Sequence, residues 1–289
     1  MNGILLVDKP PDFTSHDVVA KLRGMLHERR IGHSGTLDPM ATGLLVVFVG
    51  RATRAVEFAE SDEKEYIAGI RTGLATDTQD ISGKVLSSCG HRPAREEFAA
   101  ALPAFLGEQQ QIPPMYSAIK IGGKKLCDLA RKGIEVERRP RTITIHALEL
   151  LGENNGDFLL RVACSKGTYV RTLADDIGRK LGTGAALSSL RRTRAGAFSV
   201  ENAHTLAEIQ AFADRGEAQS LLLAVDSLFA EFPAVTLSAE QRKKCLVGAK
   251  FPFSAENGDY RVYGPDGDFL MLGRIEAGEV RTIKSFFEI

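Results

Sequence analysis

The tetrapeptide Asn154-Asn155-Gly156-Asp157 lies between two stretches that read as strands, Thr142 to Leu151 and Phe158 to Cys164. An Asn-Gly pair accepts the left-handed backbone of a two-residue turn, so the two stretches are expected to fold back on each other as an antiparallel hairpin. The rest of the chain mixes strands with helices and never settles into a βαβ rhythm. Residues 3–7 read as a buried strand, Leu44 to Val49 as a central strand, and Tyr66 to Arg71 as an alternating one. Thr14 is placed to cap a helix over 15–27, with Asp17 in its first turn. Arg51 to Ala59 has helical spacing. So has 94–106, through Phe98, Leu102 and Phe105, and 169–181, through Leu173, Ile177 and Leu181. The pattern predicts an α+β fold, a mixed and mostly antiparallel sheet flanked by helices.

After residue 231 the texture changes. A helix signal at 238–246 is followed by short strands near 259–264, 268–274 and 280–287, two of them joined by the turn Gly264-Pro265-Asp266-Gly267-Asp268. The expected division is a main domain over 1–231 and a small β-rich domain over 232–289, the latter near the lower size limit for an independent core.

With 289 residues, 44% apolar and 26% charged, the chain has ample material for a core. No apolar run is long enough for a bilayer, and the N-terminus reads as a first strand without a basic leader or cleavage site, so a cytoplasmic protein is expected. The four cysteines are far apart and form no CxxC pair, which predicts reduced thiols, most of them buried. The histidines make no HxxxH or HExxH pair, so no transition-metal site is expected. Neither a GxGxxG nor a GxxxxGK[ST] loop is present, which argues against dinucleotide and nucleoside triphosphate sites.

Net formal charge is zero, yet the charge is unevenly spread. Lys120 to Arg141 holds eight Lys/Arg against three Asp/Glu, and Lys166 to Arg194 seven against two. Glu201 to Glu240 holds seven acids and one Arg. Two readings stand: a local phosphate-binding face, or solvated faces of helices and loops.

The segment Gly32-His33-Ser34-Gly35-Thr36-Leu37-Asp38-Pro39-Met40-Ala41-Thr42-Gly43-Leu44-Leu45 carries the chemistry. Glycines and a proline fix an irregular loop that leads into a strand, a common place to hold a reactive side chain. Pro39 biases Asp38 away from helical backbone and stiffens it. By itself, Asp-Pro is also an ordinary turn.

Three more segments follow in order: Asp62-Glu63-Lys64-Glu65-Tyr66, then Gln111-Ile112-Pro113-Pro114-Met115-Tyr116-Ser117-Ala118-Ile119-Lys120, then Ser165-Lys166-Gly167-Thr168-Tyr169-Val170-Arg171-Thr172-Leu173. Together with the Asp38 loop they resemble the bacterial tRNA pseudouridine-55 synthase family (TruB), over residues 3–200 well and over the tail more loosely. The resemblance implies that Asp38 is the catalytic aspartate and that His33, Tyr66, Tyr169 and Leu190 contact the target uridine. It also implies that Arg171 pairs with the aspartate. Arg54 stands where a basic residue, often lysine, is usual. The reaction implied is isomerisation of uridine 55 in the T-loop of tRNA, without cofactor or metal, on a nucleotide flipped out of its stack. The implied partner is tRNA, held by its T-stem-loop, with the acceptor stem touched by a PUA-like tail. No membrane and no obligatory protein partner is implied, and the expected state is a monomer.

The residue types suit that reaction. Uracil leaves its ribose and is rejoined through carbon, so an oxygen group is needed beside the sugar, as nucleophile or as base; the sequence does not choose between these roles for Asp38. A neighbouring arginine would keep the acid ionised and oriented. Its place near a helix start lets the Arg171 guanidinium point out of the core, where a plain surface ion pair is the other reading. Extruded bases are sandwiched by flat or apolar groups, which suits Tyr66, Tyr169 and Leu190, although Tyr66 and Leu190 also fit as core packing. Residues 120–141, with Gly122-Gly123 and Lys124-Lys125, are expected to form a mobile basic flap that orders on RNA. The tail serves either RNA binding or packing. Two other functions compete: an RNA-binding or RNA-folding protein without turnover, and a guide-RNA-dependent synthase related to dyskerin. The bacterial look of Pro113 to Ala118 and the lack of a long basic tail speak against the latter.

Overall fold

The computed structural model describes residues 1–59 and 63–287, so Asp62 of the second sequence segment lies outside the described residues. The chain forms two compact units. One consists of Met1–Pro39, Leu44–Ser61 and Ala197–Ile289, the other of Met40–Gly43 and Asp62–Gly196.

The second unit holds the hairpin. Asn154 pairs with Asp157, and Asn155 and Gly156 take φ of 49° and 84°, the two left-handed residues that such a turn requires. Its strands run in the order Ala185–Ala195, Lys64–Thr72, Asp157–Cys164, Arg141–Asn154, Gly107–Gln111, each antiparallel to the next. Helix Val170–Lys180 packs on the Ala185–Ala195 strand and buries Leu173 and Ile177. The helix expected over 94–106 is divided. Arg95–Ala101 is α-helical and Leu102–Phe105 is a 3-10 turn, because Pro103 cannot continue the α-helical hydrogen bonding. Phe98 still reaches the sheet and stacks on Phe158, ring centroids 3.9 Å apart.

The strand Ala185–Ala195 was not legible in the sequence. Its residues, AALSSLRRTRA, show no two-residue alternation, and the register slips between Leu187 and Ser189 and again between Arg192 and Arg194. It is nonetheless paired on both sides: with Lys64–Thr72, and in parallel with Thr42 and Gly43.

In the first unit, Gly3–Lys9 and Ile31–Ser34 flank the strand that continues from Leu44 to Val49. Helix Ser15–Met25 starts with the capping expected of Thr14. The Thr14 hydroxyl accepts from the Asp17 N–H at 3.0 Å, and the Asp17 carboxylate accepts from the Thr14 N–H at 2.9 Å. The core below it gathers Leu5, Val7, Val18, Leu22, Leu45, Val47 and Ile209. The last of these lies on Leu206–Asp214, a helix the sequence reading did not contain.

Residues after 231 build a sheet in the order Ala234–Thr236, Gly258–Tyr263, Phe269–Glu276, Glu279–Ser285, Phe251–Pro252, with helix Ala239–Leu246. Leu237, Cys245, Phe251, Val262, Met271 and Val280 give it a core of its own. It is also fastened to earlier residues of the same unit. The Phe229 ring lies 5.2 Å from Phe58, 5.8 Å from Phe286 and 6.1 Å from Phe269, and Lys284 Nζ donates to Glu57 at 2.6 Å. All four cysteines are free thiols. Cys164 and Cys245 are buried, and burial pushes both thiols up to about 11. Among the described residues no helix is long and apolar enough to cross a membrane.

Candidate active site

Asp38 sits half-buried at the end of the loop that follows His33. The backbone on both sides of it is clamped. The Leu37 N–H donates to the Ser15 hydroxyl at 2.9 Å, and that hydroxyl donates back to the Leu37 carbonyl at 3.3 Å. The Pro39 carbonyl accepts from the Asp12 N–H at 3.0 Å and from Lys9 Nζ at 3.1 Å. Lys9 is fully buried, and its ammonium also donates to Pro10 O at 2.9 Å and Phe13 O at 2.6 Å. One cation thus ties the 10–13 turn to the residue after Asp38, using charge-assisted bonds in place of water. Replacing Lys9 with Met should leave three carbonyls without this donor and lower stability by roughly 2–4 kcal/mol. Urea unfolding measures this, and a loss under 1 kcal/mol would show that the clamp is dispensable. His33 is half-buried on the Ile31–Ser34 strand, opposite Val47. Arg54 is exposed in the last turn of Gly50–Ala55.

The second unit carries the other four candidates. Tyr66 and Leu190 lie on neighbouring antiparallel strands. Tyr66 is opposite Arg192 and Leu190 is opposite Ala68, so the two side chains share one face of the sheet as diagonal neighbours. They are 9% and 7% exposed, so each presents an edge rather than a whole side chain to solvent. Tyr169 is half-buried and forms the N-cap of helix Val170–Lys180. The turn before it is anchored by Thr168 Oγ1 to Ser165 O at 2.9 Å and by the Thr144 N–H to Ser165 Oγ at 2.9 Å.

Arg171 differs from the sequence expectation. Its side chain does not point out of the core; it is 4% exposed. Nη1 donates to Thr78 O at 2.9 Å, Nη2 donates to Tyr116 O at 2.8 Å, and Asp80 Oδ2 lies 3.7 Å from Nη1. A cation in the first turn of a helix is opposed by the helix dipole, and a buried one needs compensation. Two carbonyls and a carboxylate supply it here. Asp80 is itself fixed, accepting from Thr78 Oγ1 at 2.9 Å, from the Ser82 N–H at 3.0 Å and from Ser82 Oγ at 2.5 Å. The sequence reading missed Asp80. The run Thr76-Asp77-Thr78-Gln79-Asp80-Ile81-Ser82-Gly83 signals only a turn, and the Arg171 partner is 91 positions away.

Asp38 is four residues before Thr42, which pairs with Arg191, the neighbour of Leu190. Of the basic stretches, 120–141 exposes Lys120, Lys124, Lys125, Arg131, Lys132, Arg139 and Arg141. Gly122 and Gly123 form its hairpin tip, with φ of 57° and 80°. It is held by buried Leu126 and by Arg138 Nη1 donating to Pro113 O at 3.2 Å. The stretch 166–194 is not one solvated face, because Arg171 and Arg192 within it are buried. Among the described residues no His, Cys, Asp and Glu side chains gather as metal ligands.

The model of the TruB family pseudouridylate synthase N-terminal domain matches residues 23–170, and that of the tRNA pseudouridylate synthase B C-terminal domain matches 171–230. The chain belongs to the TruB family of pseudouridylate synthases. It is therefore an isomerase. It is 44% identical to the tRNA pseudouridine synthase B of Aromatoleum aromaticum, over 96% of this chain and 89% of that one. With the tRNA pseudouridine synthase B of Opitutus terrae it shares 51% over 73% of this chain and 88% of the relative. Among solved structures it is similar to a Cbf5–Nop10–Gar1 complex, with a TM-score of 0.74 and 26% identity, covering 99% of this chain and 85% of that one.

Proposed function

We propose that the protein converts uridine to pseudouridine at position 55 in the T-loop of tRNA, with Asp38 as the catalytic carboxylate. The observation that carries this reading is the brace on Asp38. Ser15, Lys9 and Asp12 hold the backbone at residues 37 and 39, while the side chain between them is only half-buried. A carboxylate fixed in that way needs little reorganisation when it meets a sugar. In this reading the target nucleotide leaves its stack, and the freed uracil is held by Tyr66, Tyr169 and Leu190. His33 contacts the RNA, and Arg171 pairs with Asp38 and orients it. Asp38 acts on the ribose as nucleophile or as base while the glycosidic C–N bond breaks. The base then turns and forms a C–C bond at carbon 5, whose proton is released to solvent.

That proton is the assay. tRNA carrying tritium at carbon 5 of its uridines should release one label per molecule, and a transcript with cytidine at position 55 should release none. Equal release from both transcripts would move the target elsewhere. Tight binding without release would leave an RNA-binding protein.

The exposed lysines and arginines of 120–141 are the proposed grip on the flanking phosphates, and the segment orders as RNA enters. The C-terminal domain over 232–289 is proposed to touch the acceptor stem. Because Phe269 and Phe286 pack against Phe229, removal of this domain would expose an aromatic cluster, so charge reversal is the cleaner test. Lys243→Glu with Lys250→Glu, both at exposed positions, should weaken tRNA binding about tenfold at low salt and reduce its salt dependence. An unchanged affinity would assign the domain to packing.

A further inference from the structure

We infer that Gln111 is a positioning residue for Tyr169. Gln111 is the last residue of the edge strand Gly107–Gln111, and its side chain is 4% exposed. Its amide pairs with both backbone polar groups of one residue. Oε1 accepts from the Tyr169 N–H at 2.8 Å, and Nε2 donates to the Tyr169 carbonyl at 3.1 Å. This reproduces the paired bonds of a β-bridge with a side chain in place of a second backbone. The Tyr169 carbonyl also accepts the first helical bond, from the Leu173 N–H at 3.1 Å. Tyr169 is an N-cap with no side-chain cap of its own, and it follows Gly167 at φ 81°. A backbone held at both its donor and its acceptor fixes the direction of the Cα–Cβ bond, and with it the plane available to the ring.

The same short segment acts twice. Gln111 holds Tyr169, and five residues later the Tyr116 carbonyl holds the Arg171 guanidinium. Residues 111–116 therefore act as a strap across the start of helix Val170–Lys180. They lead directly into the exposed basic segment that begins at Lys120. Neither Gln111 nor the strap touches RNA; the strap sets the geometry of Tyr169, which does, and of Arg171, which pairs with Asp38.

The inference rests on the reading that Tyr169 contacts the target uridine, so the experiment separates the two. Gln111→Met, Tyr169→Leu and the double variant are compared in the full-length protein. The readouts are single-turnover tritium release, tRNA dissociation constant and thermal unfolding. Gln111→Met should slow the single-turnover step about 10- to 100-fold with affinity changed less than about threefold, because a small misplacement of a positioned group costs rate. Tyr169→Leu should slow it at least as much. The double variant should be no slower than Tyr169→Leu alone, since a residue that acts only through another has nothing further to lose. Full additivity, or a Gln111→Met rate equal to wild type while Tyr169→Leu is slow, would overturn the inference and leave the uridine contact standing. A wild-type rate in Tyr169→Leu would overturn the uridine contact itself. If Gln111→Met fails to fold, Gln111→Asn withdraws the same amide by one methylene and should show the same split between rate and affinity. Additivity in that pair would equally refute the role.

Discussion

Asp38→Asn is expected to abolish tritium release, a loss of roughly four orders of magnitude or more in turnover, while tRNA affinity stays within about threefold of wild type. The amide has the shape of the acid but is neither a nucleophile toward a sugar carbon nor a base near neutral pH. The substitution should leave the loop in place. Its clamps reach backbone atoms of residues 37 and 39 from Ser15, Lys9 and Asp12, and none of these bonds uses the side chain that changes. Rate and affinity should therefore separate cleanly. Turnover within about tenfold of wild type would remove Asp38 from its proposed role, and a parallel loss of affinity and thermal stability would mean that the substitution had disturbed the loop.

The second large effect concerns stability. Gly43 has φ of +93°, and a Cβ there would lie 2.3 Å from the Arg192 carbonyl oxygen and 2.9 Å from the Arg192 nitrogen. Both are backbone atoms, in the strand to which Gly43 is paired. Neither can swing aside as a flexible side chain would. Gly43→Ala should cost roughly 4 kcal/mol or more, the sum of a left-handed alanine and a forced separation of two strands, and should lower the melting temperature by about 10 °C. Gly133→Ala is the comparison. It has φ of +70° with nothing within 4 Å of the added carbon, so only the conformational cost of about 1 kcal/mol applies. Similar losses in the two variants would show that the Gly43–Arg192 approach is not tight in solution. In a Gly43→Ala protein that still folds, turnover should fall as well. The strand that separates carries Leu190 two residues from Arg192, and Asp38 lies five residues before Gly43.

Much of this was open to reading in the residues alone. Asn155-Gly156 announced the central hairpin, Thr14 with Asp17 announced the first helix, and both formed as expected because local hydrogen bonding and φ preference suffice for them. The strand Ala185–Ala195 was missed because two register shifts scramble its alternation, leaving a period no sequence window can recover. Gly107–Gln111 was missed for a related reason. As an edge strand of Gly, Glu and Gln it has little apolar signature, and its pairing with Arg141–Ile145 is what makes it a strand. The site divides in the same way. The candidates Asp38, Tyr66, Tyr169 and Arg171 were named because they stand in three of four ordered segments. Of their neighbours, Gln111 opens the remaining segment, whereas Lys9 and Asp80 stand in none of the four.

The central hairpin, the first helix, the bend at Asp38-Pro39 and the chemical type of each candidate side chain follow from the chain itself, because they depend on neighbours a few residues apart. Which side chains become rigid is a property of the folded molecule. Arg171 reads as an outward cation in sequence and becomes a buried, braced one only when Thr78, Asp80 and Tyr116 converge on it from distant segments. A charge taken out of water needs partners at hydrogen-bond distance, and partners more than fifty residues away are supplied by tertiary structure alone.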